Sequence, residues 1–189
     1  MKVNSYNLKE NIKKLSFPQA PKGRYYKPTS VFLLLFFKEQ EPYILAILKA
    51  DREGYLWRNQ VALPGGHIDK SDTTPMEAAF RELKEELGIP KEQVDEIGSI
   101  GHFPTLNQRD IEVFLGLWNG EGPIVYDRDE IAEVLEIPLK ELLFIHNVKH
   151  FANRYPDMTE LVYPFNHVVI WGATARIIHH FIENVYPLL

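Results

Sequence analysis

The sequence predicts an α/β domain. Two apolar runs, VFLLLFF at residues 31–37 and YILAIL at residues 43–48, are typical of buried strands, and the polar KEQEP between them predicts a hairpin. Helical periodicity follows at residues 75–87 and again near the C-terminus. The chain has 189 residues, 45% of them apolar, and no repeat or low-complexity linker, so we expect one domain with a substantial core.

The remaining elements can be placed in chain order. Residues 4–15 have a helical pattern and precede a Pro-rich, irregular connection, so we expect this start to be an accessory. Further short strands are expected at residues 60–63, 94–103, 111–118 and in the segment IAEVLEIPL. Pro138 in that segment should open a small helix. Residues 168–185 are apolar nearly all round at helical spacing, which predicts a deeply packed last helix.

Composition excludes several classes of function. The formal net charge of -5, without a long Lys/Arg run, argues against sequence-independent binding of nucleic acid. Without cysteine the chain has no disulfide, thiolate nucleophile or cysteine zinc site. No apolar run approaches the roughly 18 residues of a membrane span. We therefore expect a soluble, cytoplasmic protein with no membrane partner. The sequence leaves open whether the protein forms a homodimer.

The central helix carries its own start and stop signals. These are an N-cap, a proline at the first helical position, a capping-box glutamate and a Gly-x-Pro stop, found at Thr74, Pro75, Glu77, Gly88 and Pro90. They predict a helix over residues 75–87.

Three glutamates crowd one side of this predicted helix. Glu82 lies one turn from both Glu85 and Glu86, and like charges at this spacing destabilise a helix by a few tenths of a kcal/mol per pair. Mg²⁺ would offset that repulsion, because it takes carboxylate oxygens and bridges to phosphates. Arg81 can pair with Glu77 and Glu85 one turn either way.

The alternative is an ordinary solvated helix, which is the commoner origin of a segment such as RELKEELG taken alone. The context favours a site instead. Gly65 and Gly66 immediately upstream can bring backbone close to a ligand, and a loop must lead from them to the helix start.

These residues resemble the signature of the Nudix hydrolases, which is Gly, five residues, Glu, seven residues, then R-E-U-x-E-E-x-G-U with U a bulky aliphatic residue. Gly66 matches the glycine, and RELKEELGI at residues 81–89 matches the second half. The middle departs from the pattern. Asp72 replaces the glutamate, and eight residues rather than seven separate it from Arg81, which implies one extra loop residue.

Within the family, the chain is similar to the coenzyme A pyrophosphatase branch, and the extra loop residue points the same way. The similar segments are LPGGHID, DEIAEVLEIPLKELL, YPF, VIWGATARII and PTSVFLLLF. The resemblance covers a Nudix hydrolase domain at residues 28–189 and leaves residues 1–27 as an N-terminal extension, which we expect to be a helix followed by a Pro-rich connection. It implies an α/β/α sandwich with a central mixed β-sheet, a Nudix-box helix and a C-terminal helix.

The resemblance also implies a reaction. Nudix enzymes hydrolyse a diphosphate linked to another moiety, with Mg²⁺ or Mn²⁺ as cofactor, and the branch implies coenzyme A or its derivatives as the small-molecule substrate. The products would be 4′-phosphopantetheine and adenosine 3′,5′-bisphosphate. One alternative keeps the reaction with ADP-ribose, a nucleoside diphosphate sugar or another nucleotide. Another is a non-catalytic ligand sensor, which the complete RELKEELG half disfavours.

Roles carry over from the family to the carboxylates. Glu82 and Glu86 are the expected metal ligands, with Glu85 next. The general base is either a box glutamate such as Glu85 or a carboxylate from a later loop, for which Glu130 is our candidate. Asp129 and Glu112 are the next candidates. The simpler explanation of Glu130 is an exposed turn residue in a charge run, and that of Glu112 is a strand residue that faces out of the core.

Gly65 and Gly66 are expected to contact the substrate. The branch usually carries an arginine-containing run and a glycine before the PGG motif, whereas this chain has Asn59 at the glycine's place. Its candidate phosphate-binding cations are Arg52, Arg58 and Arg24.

The histidines and the tryptophan near the C-terminus are expected to be structural. His67 could contact substrate but is more typical of a solvent-facing loop. His179 and His180 lack a third ligand at metal spacing. Trp171, next to a glycine in an apolar segment, suggests close core packing.

Overall fold

A mixed sheet forms the centre of the fold. The computed structural model describes residues 4–22, 26–54 and 57–189, and within them seven strands make up this sheet, while two more form a separate hairpin. The strands of the sheet are β1 (Lys27–Lys38), β2 (Glu41–Lys49), β3 (Val61–Ala62), β4 (Gly65–His67), β5 (Val94–Pro104), β6 (Arg109–Trp118) and β7 (Ile131–Pro138). The hairpin strands are β8 (Tyr163–Phe165) and β9 (Val168–Ile170). The helices are α1 (Ser5–Ile12), α2 (Pro75–Leu87), α3 (Leu139–Val148) and α4 (Gly172–Asn184), with 3₁₀ turns at Lys91–Gln93 and Tyr186–Leu188.

The sheet is mixed because β1 pairs in parallel with β6 and antiparallel with β2. The strand order is β3-β2-β1-β6-β5, with β4 paired to β1 and β7 paired to β2. The predicted hairpin of β1 and β2 is confirmed, as are the strands near residues 94–103 and 111–118 and the small helix after Pro138.

Helices cover both faces of this sheet, which explains the unbroken apolar run in β1. Phe32 and Leu34 belong to a core cluster with residues of α2, such as Leu83. Leu33 and Leu35 belong to a second cluster that includes residues of α3 and α4. A strand with both faces buried needs apolar side chains at successive positions. The predicted α/β/α sandwich with the box helix and a C-terminal helix is therefore confirmed.

The last helix starts later than predicted. It begins at Gly172, because residues 168–170 are the strand β9 and pair with β8. Trp171 at the helix start is 47% exposed, so the expectation that it packs in the core was wrong. The boundary between β9 and α4 could not be recognised in the sequence, because the apolar residues Val168–Ile170 suit a strand as well as a helix. None of the helices in the described ranges is long and apolar enough to cross a bilayer.

The N-terminal segment is packed into the fold more closely than an accessory would be. Leu8 and Ile12 of α1 are 1% and 4% exposed and join the core cluster under α4. Lys9 forms an ion pair with Asp95 at 2.6 Å. After the helix, the carbonyl of Pro18 accepts a hydrogen bond from the edge strand β5 at 2.9 Å. This segment therefore covers the edge of the sheet.

We expect Leu8→Ala to lower the free energy of unfolding by about 2–4 kcal/mol, because it removes a fully buried leucine. Leu15, which follows α1 and is 37% exposed, provides the matched control, and Leu15→Ala should cost less than about 1 kcal/mol. Urea denaturation measures both changes. Equal costs for the two substitutions would show that α1 does not contribute to the core.

Candidate active site

Helix α2 is fixed at both ends by the predicted caps. The Thr74 hydroxyl accepts a hydrogen bond from the backbone N–H of Glu77 at 3.1 Å, and Gly88 ends the helix with a φ of 69°. The return half of the capping box differs from the prediction. The Glu77 carboxylate accepts from the backbone N–H and the hydroxyl of Thr73, one residue before the N-cap. The helix start and the loop before it are thereby joined.

Two glycines let the backbone approach both the sheet and the helix. Gly65 has a φ of 141°, and a Cβ there would lie 2.3 Å from the carbonyl oxygen of Ser30. A Cβ on Gly66 would lie 2.5–2.6 Å from the carboxylate of Glu82. The first glycine therefore allows β4 to pair with β1, and the second leaves room for a carboxylate directly against the turn.

Glu86 is buried, with 8% of its surface exposed, and its charge is compensated. Its Oε1 accepts from the ammonium of Lys49 at 2.6 Å, and its Oε2 accepts from the backbone N–H of Gly65 at 2.9 Å. Sequence reasoning missed Lys49. A signal existed, because Lys49 follows Leu45 and Ile47 at alternate positions of β2 and so falls on the face of the strand that α2 covers.

Arg81 ties the loop to the helix. Its guanidinium donates to both carboxylate oxygens of Asp72, at 3.1 and 3.0 Å, and to Glu85 at 3.0 Å. The predicted pair with Glu85 is confirmed, but the pair with Glu77 was wrong, since Asp72 occupies that side of the guanidinium. Arg81 holds the pKa of Asp72 below its usual range. Asp72, the residue that departs from the family signature, is thus the anchor of the longer loop.

Glu82 lies in an electrostatic environment unlike that of its neighbours. Burial raises its pKa, and the charges of Glu86 and Glu85 raise it further, while a 2.9 Å hydrogen bond from Arg81 acts in the opposite direction. A carboxylate in this position is stabilised by any additional cation placed beside it.

The chemistry of these side chains suits a hard divalent cation. Glu82 and Glu86 would hold it with carboxylate oxygens, and Glu85 would come next. In the part of the chain that the structure describes, no three carboxylate or imidazole groups are already assembled around a common point. The three glutamates instead form ion pairs with Lys49 and Arg81, two cations for three carboxylates. The donor set therefore fits the ion, and binding would exchange contacts with these two side chains for contacts with the metal.

A cleft of about 780 Å³ opens beside these glutamates. Glu82 and Glu86 reach it from α2, with Gly65 and Gly66 beside them. Trp171 and Arg176 reach it from the opposite layer, at the start of α4. A volume of this size is in the range of small-molecule sites.

The candidate bases separate clearly in space. Glu130 lines the cleft, and its backbone carbonyl accepts a hydrogen bond from Ala50 at 2.9 Å. Asp129 is exposed and does not line the cleft. Glu112 lies in a separate, shallow pocket beside the N-terminal segment, 3.9 Å from His102. Among these three carboxylates, only Glu130 shares the cleft with the glutamates of α2.

The cations in the cleft differ from those expected. Neither Arg52 nor Arg58 lines it; the Arg58 side chain is 57% exposed and lies 3.9 Å from Asp51. Arg24 falls outside the described residues. The cleft contains Lys49, Arg109 and Arg176 in their place.

The histidines also divide between the cleft and the core. His67 lines the cleft, where burial first and Arg109 second lower its pKa. His179 and His180 do not line it, and burial lowers the pKa of both. His179 faces the carbonyl of Phe151 at 3.3 Å. The structural role expected for this pair agrees with that packing.

Comparison with known proteins places this arrangement in a family. The family model of the NUDIX domain matches residues 26–161, which is most of the chain. The chain belongs to the Nudix hydrolase family. Gly66 and residues 81–89, at the end of α2 and in the turn after it, are the parts of the chain that match the Nudix signature.

Relatives and solved structures agree with this assignment. The Nudix protein is 32% identical to the uncharacterized Nudix hydrolase NudL of Pectobacterium atrosepticum over 122 residues, covering 64% of each chain, which is less than two thirds of that relative. It is 30% identical to NudL of Yersinia pestis over 149 residues, covering 77% of this chain and 73% of the relative.

Two solved structures share the fold at 17% identity. A MutT/nudix family protein from Enterococcus faecalis has a TM-score of 0.52, over 95% of this chain and 73% of that one. The Ap4A hydrolase of C. elegans in a binary complex has a TM-score of 0.51, over 64% of this chain and 86% of that one. At this identity the likeness shows the fold alone.

Proposed function

We propose that this Nudix protein is a metal-dependent hydrolase of the diphosphate bond in nucleoside diphosphate derivatives, with coenzyme A as its substrate. The observation that supports this reaction is the close approach of the Glu82 carboxylate to Gly66, beside the buried ion pair of Glu86 and Lys49. The turn brings backbone, carboxylates and a cation to one wall of a cleft large enough for a nucleotide.

The choice of coenzyme A is supported by the sequence around the box. The segment LPGGHID and the eight residues between Asp72 and Arg81 are similar to the coenzyme A pyrophosphatase branch. The structure gives the longer loop a physical role, because Asp72 anchors it to Arg81.

The residues of this chain divide the work as follows. Glu82 and Glu86 would hold Mg²⁺ or Mn²⁺, with Glu85 next. A divalent cation bound there would neutralise the diphosphate and lower the pKa of the attacking water. Lys49, released from Glu86, would place its ammonium beside the phosphate oxygens.

Glu130 is the proposed general base. It is the candidate carboxylate outside α2 that shares the cleft, and it would take the proton as the water oxygen bonds to phosphorus. The bridging P–O bond breaks in the same step, and its electron pair leaves with the other phosphate. If Glu130 is not the general base, Glu85 of α2 is the alternative.

A substrate panel tests this proposal. Coenzyme A, acetyl-coenzyme A, ADP-ribose, a nucleoside diphosphate sugar and Ap4A are each incubated with Mg²⁺, with Mn²⁺ and with EDTA. We expect coenzyme A and its ester to be cleaved with the highest kcat/KM, about tenfold or more above ADP-ribose, and EDTA to stop the reaction. Cleavage of ADP-ribose with coenzyme A left intact would overturn the choice of substrate. Binding without turnover of any compound would indicate a ligand sensor.

A further inference from the structure

Two arginines of the cleft lie at the connection between β5 and β6. Arg109 is the first residue of β6, and its own carbonyl accepts a hydrogen bond from Thr105 at 2.8 Å. Arg176 reaches across from α4 and donates to the carbonyl of Pro104, the last residue of β5, at 2.9 Å. Both arginines line the cleft.

Arg109 is oriented by its neighbours. Its guanidinium carbon lies 4.5 Å from the centre of the Trp57 ring, and Nη1 contacts Nε2 of His67. Burial and Arg109 lower the pKa of His67, which favours the neutral imidazole, and a neutral ring can accept from the guanidinium at Nε2. A guanidinium stacked on one face and contacted at one edge is held in a fixed orientation in the cleft.

Arg176 brings positive charge to the same wall without a carboxylate beside it. In the described part of the chain its polar contact is the carbonyl of Pro104, and it forms no ion pair. A guanidinium fork in this setting matches the oxygens of a phosphate. It is therefore suited to bind an anion.

Arg176 lies across the cleft from the proposed reaction centre. Glu82 and Glu86 belong to α2, which covers one face of the sheet, whereas Arg176 belongs to α4 on the other face. A ligand that fills the cleft contacts both walls.

We propose that Arg109 and Arg176 form an anion subsite for a phosphomonoester that the substrate carries in addition to its diphosphate. This inference rests on the proposed function and specifies its substrate class as nucleoside diphosphate derivatives with a further phosphate on the ribose, such as coenzyme A.

Kinetics with and without that phosphate test the subsite. For the unaltered protein we expect kcat/KM to be about tenfold or more higher for coenzyme A than for 3′-dephospho-coenzyme A. Arg109→Gln and Arg176→Gln should each remove most of this preference, mainly by raising KM for coenzyme A, and leave 3′-dephospho-coenzyme A within about twofold. Arg154→Gln is the control, since Arg154 pairs with Glu160 and does not line the cleft. Equal kcat/KM for the two substrates in the unaltered protein would overturn the proposal.

A binding measurement separates failure of the subsite from failure of the proposed function. Adenosine 3′,5′-bisphosphate and 5′-AMP are titrated calorimetrically into the full chain without added metal, after thermal melts confirm that each variant is folded. We expect the bisphosphate to bind about tenfold more tightly, and the difference to vanish in Arg109→Gln and Arg176→Gln. Equal affinities in the unaltered protein overturn the subsite whatever the enzyme cleaves. A preference that depends on the arginines, without cleavage of coenzyme A, supports the subsite and rejects the proposed reaction.

Discussion

Glu82→Gln should lower kcat/KM for coenzyme A by about 10²–10³-fold, because loss of a metal ligand removes several kcal/mol of charge stabilisation in the transition state. The amide keeps the shape of the side chain against Gly66 and can still accept from Arg81. Steady-state kinetics with Mg²⁺ measure the change. Glu141→Gln, at an exposed position of α3, is the matched control and should leave the rate unaltered.

The same variant should be slightly more stable than the unaltered protein. The folded state raises the pKa of Glu82, so ionising this side chain is harder in the folded state than in the unfolded one. The resulting destabilisation is absent at low pH, where Glu82 is protonated in both states. It grows as pH rises past the ordinary value and is complete above the raised pKa. Glu82→Gln should therefore be more stable than the unaltered protein near neutral pH and no more stable in acid. Lost activity together with lost stability would point to misfolding instead.

Glu86→Gln is a poorer test of the metal site than Glu82→Gln. The Glu86 carboxylate is the buried partner of Lys49, so its substitution disturbs the fold as well as the site. Breaking a buried ion pair at one end commonly costs about 3–5 kcal/mol. Loss of activity in that variant would not distinguish a missing ligand from a damaged fold.

Gly65→Ala should lower the stability of the protein, whereas Gly66→Ala should lower its activity. Gly65 has a φ of 141°, and its Cβ would meet backbone atoms of Ser30 and Val31 at 2.3 and 2.5 Å, neither of which can move aside. We expect this variant to lose about 2–3 kcal/mol of stability or more. At Gly66 the clash is with the flexible end of Glu82. That variant should stay folded and lose most of its activity, since the carboxylate is displaced.

Urea denaturation and kcat/KM for both variants check this contrast. Gly120→Ala is the control for backbone strain alone, because Gly120 has a φ of 73° and nothing within 4 Å of an added Cβ. It should cost about 1 kcal/mol and no activity. Full activity in a folded Gly66→Ala variant would exclude Glu82 from the reaction.

The parts of the fold with strong local signals could be predicted from the sequence. The caps at Thr74 and Gly88 predicted α2 over residues 75–87, and the structure has the same bounds. The continuous apolar run of β1 predicted a buried strand, and the structure covers that strand on both faces. In contrast, the start of α4 was missed because Val168–Ile170 is equally apolar in a strand or a helix, and only pairing with β8 decides between them.

The cations of the cleft could not be predicted, because long-range packing places them there. Arg109 follows the polar segment TLNQ, and Arg176 lies in the segment VIWGATARII, 67 positions away by their numbers, and neither pattern by itself places an arginine in the cleft. Their common contact is the β5–β6 connection, which exists only in the folded sheet. Arg52 and Arg58 are nearer the box in sequence but lie outside the cleft lining. The roles of Glu82, Glu85, Glu86 and Glu130 stay predictions.

The central claim is hydrolysis of the diphosphate of coenzyme A by metal-assisted attack of water. The most direct test is mass spectrometry of the products formed from coenzyme A and Mg²⁺ in ¹⁸O water. We predict equal amounts of 4′-phosphopantetheine and adenosine 3′,5′-bisphosphate, with one ¹⁸O atom in the phosphate of only one of them, and no products in EDTA. Intact coenzyme A, or release of inorganic phosphate with the diphosphate uncleaved, would contradict this account.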